Sequence, residues 1–443
     1  MKECCRDIPM PAPGRLAALV AAEAPACWLD SALPGHPRAR HSLLALRPLR
    51  AFQAGAAELD ARLQEWDAWL KSFRGDVASE AFFPGGLVGY LSYPAGRFSP
   101  SLPAAQFFLF DGGIRIDARQ AKATVFSLGL RDDLSGADPV LAQTRCLELE
   151  RLLRAAPEAV ARAPRPASLN AELSREAYLS KVRDIRERIL RGDCYQANFS
   201  QRFVAEGAWD PAELYLRLRS ASPAPQMAFL NLGGGQILSA SPETLLEVEG
   251  RRARSHPIKG TRPRGKDPET DRRLARELLG SAKDAAELLM IVDLVRNDLG
   301  RVCETGSIRV PVLSELDSLP QVHHLVATVE GLLRKGVGPL EALGALSPGG
   351  SITGAPKLKA MEILQELEAG PRGIYTGSIG YAGLGGRAAF NIAIRSAWLS
   401  GGRLEYSAGG GIVADSEPEA EYAESLHKAR GFFEALGAEP PPA

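Results

Sequence analysis

A lysine stands among cations in "RSHPIKGTRPRG", residues 254–265. Lys259 lies between Pro-Ile and Gly-Thr, with Arg254, Arg262 and Arg264 nearby. Such a lysine is a phosphate clamp, a solvated surface charge, or an amine tuned for chemistry. At a free pKa of ~10.4, only about one such amine in a few thousand is neutral at pH 7. Burial and the three arginines would each push that pKa down and expose the lone pair. Two acidic pairs form a second candidate. Asp284 and Glu287 are three apart in one predicted helix, and Glu421 and Glu424 in another. Residues at i and i+3 share a helix face, so each pair projects two carboxylates together. Two such helices facing each other would build an oxygen-ligand site suited to Mg²⁺. The plainer reading is a solvated face with ion pairs, such as Glu424 with Lys428 at i+4.

The elements that must position these groups follow from the chain as a whole. It has 443 residues, 45% of them apolar, which supports one large domain of two packed halves or two domains. Lys+Arg and Asp+Glu are equal at 53 each, so there is no electrostatic footprint for nucleic acid. No apolar stretch reaches membrane-spanning length, and the run "LAALVAA" is too short for a signal peptide. The scattered cysteines read as reduced thiols, and the expected location is the cytoplasm.

Residues 1–165 form an expected N-terminal domain. Its runs "LLALRP", "GGLVGYLSY", "FFLFDGGIRID" and "KATVFSLGL" have strand composition, and helices are predicted near 53–73 and 138–156. The Pro/Ala-rich segment 155–170 is the linker candidate. A second domain, 171–437, opens with an amphipathic helix over 174–191, on the spacing of Tyr178, Val182, Ile185 and Ile189. "MAFLNLGGGQILSASPETLLEVEG" reads as strands around a glycine turn, the segment around 269–302 as long and helical, and 417–436 as a last helix. Without strict βαβ alternation, the fold class is α+β.

Two glycine motifs are decoys. "GTRPRGK", 260–266, fits G-x4-G-K, but Asp267 replaces the Ser/Thr that a phosphate loop needs and no buried strand precedes it. "GLGGRA", 383–388, is followed by a strand and reads as a hairpin turn.

The motifs "SASPETLL", "PIKGTRPRG", "AELLMIVDLVRNDLGRV", "VHHLVATVEG", "LSPGGSITGAPKLKAMEIL", "RGIYTGSIGY", "FNIAIRSA" and "YSAGGGIVADSEPEAEYAES" together resemble the chorismate-utilising enzymes. That family holds anthranilate synthase component I, aminodeoxychorismate synthase component I, isochorismate synthase and salicylate synthase. The resemblance is dense over 174–436 and weaker over "FPGGLVGYLSYPAGRF". It implies a large fold with mixed and antiparallel sheets in the middle, helices outside and two interleaved halves. It implies Mg²⁺ held by Glu287 and Glu424, with Asp284 and Glu421 acting through water. Glu243 matches the general acid for the C4 hydroxyl, and His324 the histidine near the reacting ring. Tyr375 and Arg395 match binders of the pyruvyl carboxylate, helped by Gly409, Gly410 and Gly411. Thr353 and Lys428 fall in substrate-site motifs. Taken alone, His324 is equally a core histidine and Arg395 a strand arginine.

Two positions choose among the family's reactions. Members that hydroxylate carry a water-activating lysine where this chain has Gln196, and an amide cannot serve as a base near neutral pH. Lys259 stands in Pro-Ile-Lys-Gly-Thr, where anthranilate synthases read Pro-Ile-Ala-Gly-Thr. The resemblance thus implies attack of the Lys259 amine on C2, then of ammonia on C4, giving 4-amino-4-deoxychorismate for 4-aminobenzoate and folate. Anthranilate formation is the alternative. A catalytically silent chorismate- or tryptophan-binding regulator is the alternative of another class. The sequence has no Gly-x-Cys-x-Gly elbow, so a glutamine amidotransferase partner or free ammonium is expected to supply nitrogen. "CWLDSAL" aligns loosely, through Asp30 and Ser31, with a tryptophan pocket of relatives.

Overall fold

The structure, a computed structural model, describes residues 2–73, 81–93, 102–164 and 169–441. Parts of two sequence features, the linker over 165–168 and "YLSYP" from residue 94 onward, lie outside the described residues.

Two large sheets, of 12 and 10 strands, carry the fold. Each draws strands from both sides of residue 165. In the first, Ala26–Asp30 pairs antiparallel with Gln226–Asn231, setting Trp28 opposite Phe229. In the second, Gly86–Leu91 pairs antiparallel with Ser378–Gly383, setting Tyr90 opposite Ile379. Antiparallel sheets with one covered face alternate inward and outward side chains. The central strands here, such as Gly86–Leu91 and Gln226–Asn231, are instead buried along nearly their whole length and read as continuous apolar runs. The core between them includes Val88, Tyr90, Phe108, Phe110, Leu230 and Trp398. A second core under one helical layer joins Val20, Tyr178, Val182, Phe203, Tyr406 and Phe433. A third, under the opposite helices, joins Leu63, Trp66, Leu288, Ile291, Val292 and Leu343. The α+β class with sheets in the middle and helices outside is what the chain forms.

Local chemistry sets the element ends. Ser174 accepts from the Ala177 N–H and starts helix Arg175–Leu190, whose Tyr178, Val182 and Ile185 are buried as their spacing predicts. The helix expected over 53–73 runs only Leu59–Ser72, because Arg50–Ala54 joins a sheet edge instead. "FFLFDGGIRID" forms two strands, Ala105–Phe110 and Gly112–Asp117. They part at Asp111, whose carboxylate accepts from Ser127 Oγ and the Leu130 N–H. "LAALVAA" lies in helix Pro13–Ala22, burying Leu16, Leu19 and Val20. The long helical segment breaks at Gly280-Ser281 into Pro268–Leu279 and Ala282–Gly300. The 383–388 glycines close a hairpin between Ser378–Gly383 and Arg387–Asn391. None of the six cysteines is disulfide-bonded. No described helix is long and apolar enough to cross a membrane.

One side chain caps a helix across the fold. Buried Asp67 accepts from the backbone N–H groups of Leu340 (3.1 Å) and Glu341 (2.7 Å), at the start of helix Pro339–Leu346. Gly338 has no Cβ because one there would sit 2.2 Å from Asp67 Cγ. That helix leads into the 347–355 turn of the site described below. Asp67→Ala is expected to cost ~1–2 kcal/mol. Gly338→Ala displaces the same carboxylate, so the double variant should cost little more than either single one in denaturant unfolding. Additive losses would show that the cap is not the shared interaction.

Candidate active site

A cavity of about 920 Å³ lies between the two sheets. Strand Ile258–Pro263 contributes Lys259, and Val322–Leu332 contributes His324. Arg403–Ile412 contributes Gly409 and Gly411. Helix Ala282–Gly300 adds Asp284 and Glu287, and helix Pro418–Leu436 adds Glu421, Glu424 and Lys428. Glu243, Tyr375 and Arg395 complete the wall from connecting segments.

Lys259 is recessed, with its side chain 12% exposed and Nζ 3.8 Å from Glu287 Oε2. Burial pushes its pKa below the usual value, and the Lys428 ammonium adds to this, while Glu287, Glu424 and Glu243 oppose it. The arginines expected to depress it are not the cause, because each is engaged elsewhere. Arg254 pairs with Glu330, Arg262 with Glu277 and Asp284, and Arg264 with Asp271. The second cation acting on the amine is Lys428. A bulge sets the loop's shape, since pairing with the neighbouring strand slips between Lys259 and Thr261. Gly260 takes φ +71° there, and a Cβ on it would stand 2.9 Å from Leu278 and 3.0 Å from Asp284. Only glycine combines that backbone with that approach.

Glu243 is buried, and burial pushes its pKa up to about 7. It accepts from Ser351 Oγ (2.7 Å) and the Ile258 N–H (3.3 Å). A carboxyl group that is still partly protonated at neutral pH can serve as a proton donor. His324 is buried, and burial with Arg395 pushes its pKa down to about 4. Its Nδ1 lies 3.2 Å from the Gly260 carbonyl and 3.0 Å from Thr261 Oγ1. The carbonyl can only accept, so Nδ1 carries the hydrogen. Nε2, buried and without a protein partner among the described residues, keeps its lone pair.

Arg395 adopts φ +51°, a strained backbone for a non-glycine residue. Among the described residues no carboxylate pairs with its guanidinium, which suits an anionic ligand. Tyr375 is a buried phenol, pushed up to about 12 by burial. Near Gly410, Glu421 Oε2 and Glu424 Oε1 converge, 3.1 and 3.5 Å from where a Cβ would stand. Lys428 bridges Glu424 (2.7 Å) and the Gly409 carbonyl (3.0 Å). Burial pushes Glu421 up, while Lys428 holds Glu424 down. Among the described residues no three His, Cys, Asp or Glu side chains form a metal-holding group on their own.

Other predicted residues stand behind the wall. Gln196 is fully buried, and neither amide atom has a partner among the described residues. Its Nε2 and Lys259 Nζ lie 2.4 and 3.0 Å from the position of a Gly411 Cβ, so the two are neighbours. Thr353 donates to the Gly349 carbonyl and stands outside the lining. Asp30 and Ser31 do not line this cavity. Asp30 accepts from Arg219 Nε (2.7 Å) and the Tyr215 hydroxyl (3.1 Å), and Ser31 Oγ donates to the His41 carbonyl (2.7 Å). Sequence reasoning missed Asn198, Thr261 and Ser351, which line the cavity. Ser351 lies inside a motif already noted, but nothing in its spacing marks it as Glu243's partner.

Comparison with known proteins agrees with this geometry. Residues 24–434 match the family described as chorismate binding enzyme. The chain is 40% identical to anthranilate synthase component 1 of Streptomyces coelicolor over 420 residues, covering 90% of this chain and 81% of that one. It is also 40% identical to aminodeoxychorismate synthase component 1 of Salmonella typhimurium over 425 residues, covering 90% of each. The crystal structure of anthranilate synthase component I from Streptococcus pneumoniae superposes with a TM-score of 0.80 at 30% identity, over 90% of this chain and 93% of that one. The menaquinone-specific isochorismate synthase from Escherichia coli shares the fold, with a TM-score of 0.75 at 19% identity over 98% of this chain and 94% of that one. Because the match runs through both sheets and every wall of the cavity, the chain belongs to the chorismate binding enzymes.

Proposed function

We propose that this enzyme aminates chorismate at C4, as the chorismate-binding component of an aminodeoxychorismate synthase. The observation that carries the reading is Lys259, a recessed amine of lowered pKa facing the cavity. Its neutral form attacks C2 while the C4–O bond breaks, and Glu243 protonates the departing hydroxyl, which leaves as water. Ammonia then bonds to C4, the ring double bonds shift back, and the C2–N bond breaks to return the Lys259 amine. Chorismate and ammonia become 4-amino-4-deoxychorismate and water, with the pyruvyl group retained. Arg395 and Tyr375 suit the pyruvyl carboxylate. His324 Nε2 offers an acceptor to the ring substituents. Gln196 as an amide supplies no base to activate water, which disfavours hydroxylation.

The proposed reading includes a magnesium ion, for which the cavity offers carboxylate oxygens but, among the described residues, no gathered set of three. Glu287 and Glu424 would hold it, with Asp284 and Glu421 behind them through water, in a donor set of carboxylate oxygens. When bound, the ion would neutralise and orient the ring carboxylate. The component naming of the relatives supports a partner subunit, which this reading takes to be an amidotransferase supplying ammonia. Tryptophan binding near Asp30 and Ser31 stays a separate proposal, which calorimetry with tryptophan tests. The second reading, anthranilate formation, is favoured by relatives of equal similarity that carry that name.

Two experiments test the reading. Purified chain with chorismate, Mg²⁺ and ammonium should yield 4-amino-4-deoxychorismate by liquid chromatography and mass spectrometry. An added lyase should convert it to 4-aminobenzoate. Lys259→Ala should lose that product by at least ~10²-fold, or divert it. Anthranilate from the wild type would establish the second reading.

The other is a pH profile. Glu243 acts as an acid only while protonated and Lys259 attacks only while neutral, so kcat/KM, corrected for free ammonia, should carry a falling limb that sets in at about pH 7 and cuts the rise given by Lys259 deprotonation. Glu243→Gln should cost ~10²–10⁴-fold and flatten that limb. A wild-type slope that does not decrease across pH 7, or a decrease that Glu243→Gln leaves in place, would remove Glu243 from the acid role.

A further inference from the structure

Behind the cavity wall lies an arginine that the mechanism does not use. Arg372 precedes Tyr375 in the turn after helix Lys357–Leu367, and its side chain is 3% exposed. Every N–H of its guanidinium has an acceptor. Nε and Nη2 donate to the two oxygens of Glu368 (2.8 and 2.7 Å). Nη1 donates to the Ile352 carbonyl (2.9 Å) and Thr376 Oγ1 (3.3 Å), and Nη2 also to the Asn198 carbonyl (2.5 Å). The guanidinium carbon stands 4.6 Å from the Tyr93 ring centroid and 5.7 Å from that of Tyr375. Glu368 in turn accepts from the Ser200 N–H (3.1 Å) and Oγ (2.7 Å).

These acceptors belong to three separate stretches, and each stretch carries a cavity-lining side chain at or beside the bonded group. Asn198 lines the cavity itself. Ile352 follows Ser351, the donor to Glu243. Thr376 follows Tyr375, which faces the cavity and sits against the same guanidinium. Arg372 itself is not in the wall. A planar fork with five fixed donors can hold three chain segments in one register; an ammonium, with three donors on a flexible stem, cannot.

We propose that Arg372 is a positioning residue for the reaction in this cavity, fixing Asn198, the Ser351–Glu243 pair and Tyr375 relative to one another. The proposal rests on chorismate turning over here, whichever amino product forms, so its test follows chorismate consumption and not product identity. Wild-type turnover in the product experiment decides the functional reading beforehand.

Arg372→Lys keeps the charge opposite Glu368 and removes the fork. In the folded variant, kcat/KM is expected to drop about tenfold or more, since small misplacements of reacting groups are costly. The informative readout is the pH profile. Ser351's bond lowers the pKa of Glu243, whose other charged neighbours are Lys259 and Arg38. Loosening Ser351 should therefore move the falling limb to higher pH, by roughly 0.5–1 unit. Ser351→Ala should move it the same way, and the double variant no further. Glu368→Gln, a milder loosening of the same grip, should give a smaller shift and stands in where Arg372→Lys does not fold. A limb and a KM unchanged in the folded variants, with only thermal stability lowered, would overturn the proposal and leave Arg372 a purely structural residue.

Discussion

The balance between burial and Coulomb attraction at Lys259 is the constraint on which the site depends. Its amine lies near Glu287 in a recess where an ion pair would ordinarily hold the charge. At 4 Å and an effective dielectric constant near 20, such a pair gains ~4 kcal/mol. Burial and the Lys428 ammonium nevertheless outweigh the carboxylates, so the amine titrates below its usual range. That outcome needs a partly dry pocket with a second cation at a fixed distance. Lys428 provides the cation because Glu424 and the Gly409 carbonyl tether it. An isolated loop could not maintain this arrangement.

The two sheets make it possible. Lys259 and His324 come from one, the Gly409–Gly411 backbone from the other, and the acidic helices lie on opposite sides of the gap. Strands from both ends of the chain knit each sheet together, at Ala26–Asp30 in one and Gly86–Leu91 in the other. The cavity walls are therefore set by long-range pairings, and the glycines let the walls come close. At Gly411 a side chain would collide with Gln196 and crowd Lys259.

The elements were legible where one period or one cap dominates. Helix Arg175–Leu190 follows its 3.6-residue spacing, and the last helix follows its acidic first turn. Elements were misread where a partner distant in sequence decides. The helix expected near 53–73 begins only at Leu59, because Arg50–Ala54 joins a sheet edge beside Ala105–Phe110. In the site, most of the residues that the resemblance named line the cavity, yet the cause of the lysine's shift was misassigned. Arg254, Arg262 and Arg264 are its neighbours in sequence, and their charges are taken up by Glu330, Glu277, Asp284 and Asp271. Lys428, 169 positions later in the chain, is its neighbour in space. Ser351 and Arg372 stayed invisible because hydrogen bonding across the sheets leaves no periodic trace.

Glu243 and His324 show what the same burial does to opposite kinds of group. Removal from water disfavours charge whatever its sign, so the carboxyl rises to about 7 and the imidazole falls to about 4. For Glu243 the shift corresponds to ~3 kcal/mol against ionisation. Near neutral pH the cavity thus holds an uncharged histidine beside a carboxyl group balanced between its two forms. The acid can give its proton to a leaving hydroxyl and the neutral imidazole cannot, since its one hydrogen is committed to Gly260. The charge left on Glu243 then stands next to Ser351 and the Ile258 N–H, both already aimed at it. Donors fixed before the reaction stabilise that carboxylate without reorganising when it forms.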